Sequence, residues 1–152
     1  MTSPAEAGNP ASKICLIGEA PGRTEMLVGK PFVGPAGSVL DECLHAAGIV
    51  RADCYITNVF ESEVGKSLAG DITIDSEKMW TSKGFTGAAE PHLAKLYDRL
   101  AKTSANVFVP LGARYHYDQS KRFAELIAHL VQQRFPEMTS VARSLGKRKK
   151  QV

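Results

Sequence analysis

The chain is 152 residues long, 43% hydrophobic and 23% charged, the balance of one globular domain with room for a single core. No run approaches the roughly 18 apolar residues of a membrane span, and the opening stretch MTSPAEAGNPAS lacks the apolar centre of a secretory signal, so neither a membrane protein nor a secreted one is expected. The formal net charge of +3 is carried by Lys147, Arg148, Lys149 and Lys150 near the end, and the rest of the chain is close to balanced.

Residues 1–12 read as a disordered N-terminus, and 13–17, with the apolar run Ile14-Cys15-Leu16-Ile17, as a first buried strand. The stretch from Gly18 to Gly37, GEAPGRTEMLVGKPFVGPAG, follows. Five glycines and three prolines in these twenty residues predict a stiff loop with no regular element. Loops at the carboxyl ends of strands are where α/β sheets hold ligands. This one carries a carboxylate, Glu19, and an aromatic ring, Phe32, a pair suited to a flat, polar ligand such as a nucleobase. The alternative is a structural crossover loop. Ser38 is placed to cap a helix, with Asp41 three residues on. Val39, Leu40, Cys43, Leu44 and Ala47 recur at helical spacing until Gly48. Cys54 to Val59 reads as a second strand with Asn58 at its carboxyl end. Strand, helix, strand implies a right-handed parallel unit, which brings Asn58 to the same sheet edge as Glu19.

Residues 61–87 are polar and show no strong period. Asp71 to Asp75 admits a short strand, and Trp80 has no assignment. Gly65-Lys66-Ser67 is not a phosphate loop, because the motif's first glycine would fall at Phe60. From Ala88 a helix with Pro91 in its first turn carries Leu93, Leu96, Tyr97 and Leu100 on one face. Asn106 to Leu111 reads as a third strand closed by Gly112. A last helix from about Ser120 to Arg134 shows Phe123, Leu126, Ile127, Leu130 and Val131, and Pro136 stops it. The folded domain is thus expected over 13–136, with a basic tail over 137–152. That tail either adds salt-sensitive, sequence-blind attraction to nucleic acid or is a solvated end.

Three cysteines make an odd count, with no CxxC and no Cys/His cluster at metal spacing. Cys15 and Cys54 lie in predicted strands and Cys43 on an apolar helix face, so buried free thiols in a reducing cytosol are expected.

The loop Gly18 to Gly22, Glu25, Gly29, Pro31 to Gly34 and Ala36-Gly37, followed by Thr57-Asn58, closely resembles the first signature of the uracil-DNA glycosylase superfamily, family 4 type. The segments around Pro91-His92-Leu93 and Val109-Pro110-Leu111-Gly112-Ala113 look like that family's third strand and the helix before it. The resemblance implies a three-layer α/β/α sandwich with a short, mainly parallel central sheet, acting on uracil-containing DNA, with a monomeric state and a replication or repair partner as further expectations. It also gives roles. Phe32 would stack on the base, and Asn58 would read O4 and N3–H of uracil. Gly18, Ala20, Pro21 and Gly22 would line the pocket, and backbone N–H groups near Glu19 and Ala20 would meet the departing anion. Glu19 would orient or activate the attacking water, and Glu25 would brace the loop; Lys147 to Lys150 are candidate DNA contacts from their charge alone.

The chain departs from the family in two ways. Family 4 members typically bind a four-iron cluster through four cysteines, but there is no N-terminal pair here and Ser62 and Ala89 fall at the other two places. No cluster, and no metal or other cofactor, is therefore expected. The family's closing His-Pro-Ser, whose histidine contacts uracil O2, has no counterpart after Ala113. His116 is the candidate replacement, while His45, His92 and His129 read as surface or helix-packing residues. Two other readings stay open: a non-catalytic relative that binds nucleic acid or scaffolds a repair complex, and a small-molecule protein using the GEAPG backbone as an anion nest.

Overall fold

The computed structural model describes residues 3–64, 74, 76–81, 83–111 and 117–141. Strand β1, Ile14–Gly18, runs parallel to β2, Cys54–Asn58, on one side and to β5, Val107–Pro110, on the other. A two-residue strand β6, Thr139–Ser140, extends the sheet beside β5, giving the order β2-β1-β5-β6 with every pair parallel.

Alternation along the strands sorts the core into two layers. Cys15, Ile17, Tyr55 and Phe108 face helices α4, Glu90–Ala101, and α5, Tyr117–Arg134, which contribute Leu93, Leu96, Leu100, Phe123, Ile127 and Val131. Leu16, Cys54 and Ile56 face helix α2, Pro35–Ala46, through Leu40 and Leu44. Helices on both faces of a parallel sheet make the α/β/α sandwich that the resemblance implied.

Several expectations need correction. The Gly18–Gly37 loop contains a six-residue helix, α1, Arg23–Val28, ended by Gly29 in the left-handed region at φ 83°. Helix α2 starts at Pro35 rather than after Ser38: proline suits the first helical position, and Gly34 is the cap. Residues 3–12, expected to be disordered, are tied to the sheet, for Ala7 and Ile56 exchange both backbone hydrogen bonds and Ala5 is buried. The expected tail boundary at 137 also moves, because Met138 and Ser140 are buried and β6 is part of the sheet. Cys43 is exposed on α2, whereas Cys15 and Cys54 are buried as expected. Trp80 finds its place in a small antiparallel hairpin, β3, Trp80–Thr81, and β4, Gly84–Phe85, preceded by the short helix α3, Ser76–Met79. Of the Asp71 to Asp75 stretch only Ile74 is described; Gly65-Lys66-Ser67 and Gly112 lie outside the described residues.

Candidate active site

Gly18 closes β1 directly opposite Asn58 at the end of β2. A Cβ on Gly18 would sit 2.4 Å from Asn58 Oδ1 and 2.6 Å from Phe32 Cζ. Glycine is therefore required for amide and ring to meet over the strand end. Asn58 is only 1% exposed. Its Nδ2 donates to the Ala5 carbonyl at 3.0 Å, and since a carbonyl only accepts, that contact fixes which way the amide faces. Oδ1 is left buried without a partner among the described residues. Leaving a buried acceptor unmet costs roughly 1–3 kcal/mol, recoverable when a ligand N–H arrives. The contribution of Ala5 had no sequence signal, because it is made by backbone.

Phe32 is the one non-glycine at positive φ, 51°, among the described residues. Such strain persists where the surroundings over-determine it. Here Arg51, in the turn before β2, donates to the Phe32 carbonyl at 2.9 Å, to the Pro31 carbonyl at 2.6 Å and to Asp41 Oδ1 at 2.9 Å. On the other side Gly37 brings the first turn of α2 so close that a Cβ there would lie 1.9 Å from the Phe32 carbonyl oxygen. Glu25 braces the same loop: Oε1 accepts from Gly22 N–H at 3.0 Å, and Oε2 from Val33 and Gly34 N–H at 2.9 and 2.7 Å. Burial alone would raise its pKa, but those backbone donors outweigh burial and hold it below the ordinary carboxylate value.

Glu19 follows Gly18, and its carboxylate is engaged toward the α4–α5 side. Oε2 accepts from Trp80 Nε1–H at 2.8 Å, and Ala20 and Trp80 both pack against the core of that face. Burial raises the Glu19 pKa above the usual carboxylate value, and the indole hydrogen bond partly opposes the rise. The structure thus joins Gly18, Asn58 and Phe32 at one point and holds the Glu19 carboxylate beside it, on the hairpin side. Pro21 is buried and Gly22 caps α1.

Arg99 of α4, unremarked in the sequence, clamps the end of β2. It donates to Thr57 Oγ1 at 2.9 Å and to the Asn58 carbonyl at 2.5 Å, and pairs with Glu61 at 3.0 Å. His92 stands edge-on to Phe60, while His45 and His129 are exposed. His116 and Lys147 to Lys150 lie outside the described residues. A cavity of about 510 Å³ flanks the outer side of the Phe32 loop, lined by Ala7, Lys30, Pro31, Val33, Asp41 and Arg51 as well as the ring. Its lining includes Phe32 but not Gly18, Glu19 or Asn58.

Cys15 and Cys54 are buried in adjacent strands, burial pushes the Cys15 thiol up to about 12, and Cys43 is exposed on α2. Among the described residues, no group of three or more His, Cys, Asp or Glu side chains could hold a metal ion.

Fold and site define a parallel α/β domain, helices on both faces, whose ligand edge combines a strained aromatic loop, a buried amide and a half-buried carboxylate. The chain belongs to the uracil DNA glycosylase superfamily, whose family model matches residues 5–122. Among curated relatives, it is 54% identical over 54 residues to a type-4 uracil-DNA glycosylase of Archaeoglobus fulgidus, covering 36% of this chain and 27% of that protein. A type-4 enzyme of Thermotoga maritima is 50% identical over 52 residues, 34% of this chain and 27% of its own. One from Pyrobaculum aerophilum is 50% identical over 46 residues, 30% and 24% respectively. The matched stretches thus span about a quarter of those relatives' length.

Proposed function

We propose that this chain is a uracil-DNA glycosylase that hydrolyses the N-glycosidic bond of uracil in DNA and leaves an abasic site. The observation that carries the reading is the buried, unpartnered Asn58 Oδ1 meeting the Phe32 ring over Gly18. Uracil offers an N3–H donor to such an acceptor, where cytosine offers a lone pair. With one N–H of Nδ2 given to Ala5, the Oδ1 contact is what distinguishes the two bases.

Flipping a base out of the stack costs a few kcal/mol. Stacking on Phe32 returns about 1–3 kcal/mol of that. Backbone N–H groups of Glu19 and Ala20 are the donors for the departing pyrimidine anion, one such donor being worth about 2.7–4 kcal/mol. Glu19 orients or activates the water that attacks C1′, a contribution of about 10²–10⁴-fold. The pocket wall is Gly18, Ala20, Pro21 and Gly22, and His116 is assigned to uracil O2. Strand β6 runs parallel to β5, so the chain leaves Ser140 toward the ligand edge. Lys147 to Lys150 follow in sequence and are assigned a salt-dependent attraction to phosphate.

The test is a duplex with one uracil, incubated with the protein and then treated with hot alkali. Strand scission at the uracil, lost in Glu19→Ala and in Phe32→Ala, is the expected result. Binding of the duplex without scission would replace this reading with a non-catalytic one.

A further inference from the structure

Trp80 is the only tryptophan of the chain, and it sits in the polar stretch that separates β2 from α4. Its ring centroid lies 5.7 Å from that of Phe123 on α5, and Phe85, across the hairpin, stands edge-on to the same ring at 6.0 Å. Phe123 is fully buried, so both hairpin rings are anchored to the core of that face. Its base is closed by Thr86, whose N–H donates to the Met79 carbonyl at 2.8 Å and whose hydroxyl bonds the carbonyls of Lys78 and Met79. The indole is thereby fixed, and its N–H reaches Glu19 Oε2. An indole can donate and never accept.

We propose that Trp80 is a positioning residue for Glu19: the hairpin-borne N–H holds Oε2 and leaves Oε1 to bind the water. That Oε1 holds the attacking water rests on the glycosylase function proposed above; the Trp80–Glu19 contact does not. Glu19 is half-buried, and desolvation favours its neutral form. A donor that cannot take a proton favours the ionised form, which a base requires. Charged groups of the surrounding elements are either paired or exposed. Arg99 of α4 pairs with Glu61 after β2, and His92 of α4 packs on Phe60. Arg23 of α1 and Lys78 of α3 are exposed, and Arg122 of α5 is exposed and has a partner of its own. Burial and the indole are the two causes acting on the Glu19 carboxyl.

Trp80→Phe keeps a ring against Phe123 and removes the donor. In single-turnover uracil release, the acid limb of the rate should move to higher pH by about one unit, tenfold in rate below the limb, with the half-saturating protein concentration unchanged. A purely structural role would lower the melting temperature and leave the limb in place; a superimposable pH profile, or a faster variant, overturns the proposal. A second measurement needs no activity. The fluorescence of the single indole in the wild-type chain should show an acid transition above the ordinary carboxylate range, absent in Glu19→Gln. If that transition is missing from the wild type, the proposal fails. If it is present and Glu19-dependent while no uracil is released, the positioning contact stands and the glycosylase reading fails instead.

Discussion

Replacing Glu25 by glutamine strips charge from a carboxylate that three backbone N–H groups share. An amide has one acceptor oxygen, so its NH₂ must face either Gly22 N–H or the Val33 and Gly34 pair. At least one donor at the start of α1 or of α2 is then left to water. Hydrogen bonds to charged acceptors contribute about 1.5–3 kcal/mol each. Glu25 is only half-buried, so solvent screening reduces that figure. We expect a net loss of about 2 kcal/mol, read as a lower urea midpoint at unchanged m. The sign with pH follows from the lowered carboxyl. Its stabilisation is full above the unfolded-state value and is lost as pH falls through the folded-state value, so variant and wild type should converge in acid. A difference under about 0.5 kcal/mol at neutral pH, or one that persists unchanged in acid, would refute the assignment of Glu25 as the brace of this loop.

Gly18→Ala should fold but release uracil about 10²-fold more slowly, the cost of roughly 1 Å of misplacement between ring and amide; a wild-type single-turnover rate would show that the two need not meet there. Glu19→Gln should raise the melting temperature near pH 7 while reducing uracil release about 10²–10⁴-fold. The Glu19 pKa is raised on folding, so its ionised form opposes the fold once pH exceeds the ordinary carboxylate range, and the two proteins should converge below that range. Arg99→Met should destabilise the fold by about 1.5–3 kcal/mol, since the Asn58 carbonyl and Thr57 hydroxyl lose a charged donor; thermal unfolding measures it.

The sheet was legible because its strands and helices carry their periods openly: Ile14 to Ile17, Cys54 to Asn58, and the Leu93, Leu96, Leu100 face all fall where their patterns put them. Asn58 and Glu19 were legible at one sheet edge because the parallel unit fixes strand ends relative to one another, whereas Phe32 and Gly18 joined them through the family resemblance. What stayed hidden is contact made by backbone or across long separation. Ala5 reaches Asn58 through a carbonyl, and residues 3–12 bind the sheet edge through Ala7, so their polar, proline-bearing composition suggested disorder. Arg51 and Arg99 look like ordinary surface cations in sequence, yet each ends on main-chain carbonyls. Trp80 lies 61 positions from Glu19, in a two-strand hairpin too short to show alternation. Helix α1 was missed because glycine and proline density dominates the reading of the loop, whereas Glu25 caps the start of α1 through Gly22 and the start of α2 through Val33 and Gly34.

The ligand edge concentrates what a fold otherwise avoids: a non-glycine in the left-handed region, a buried acceptor without a donor, and a carboxylate shifted toward its neutral form. Each of these has a restraint bonded to it whose polar head is directed at that residue or its loop: Glu25 and Arg51 for Phe32, Arg99 and the Ala5 carbonyl for Asn58, Trp80 for Glu19. The restraints come from five different segments, so no local propensity could have produced the site. The arrangement follows from strained and unsatisfied groups needing over-determined surroundings to persist. If the proposed glycosylase function holds, damage to any one restraint should reach a different part of the reaction: base stacking through Arg51, base identity through Arg99 or the N-terminal segment, and the pH dependence of hydrolysis through Trp80.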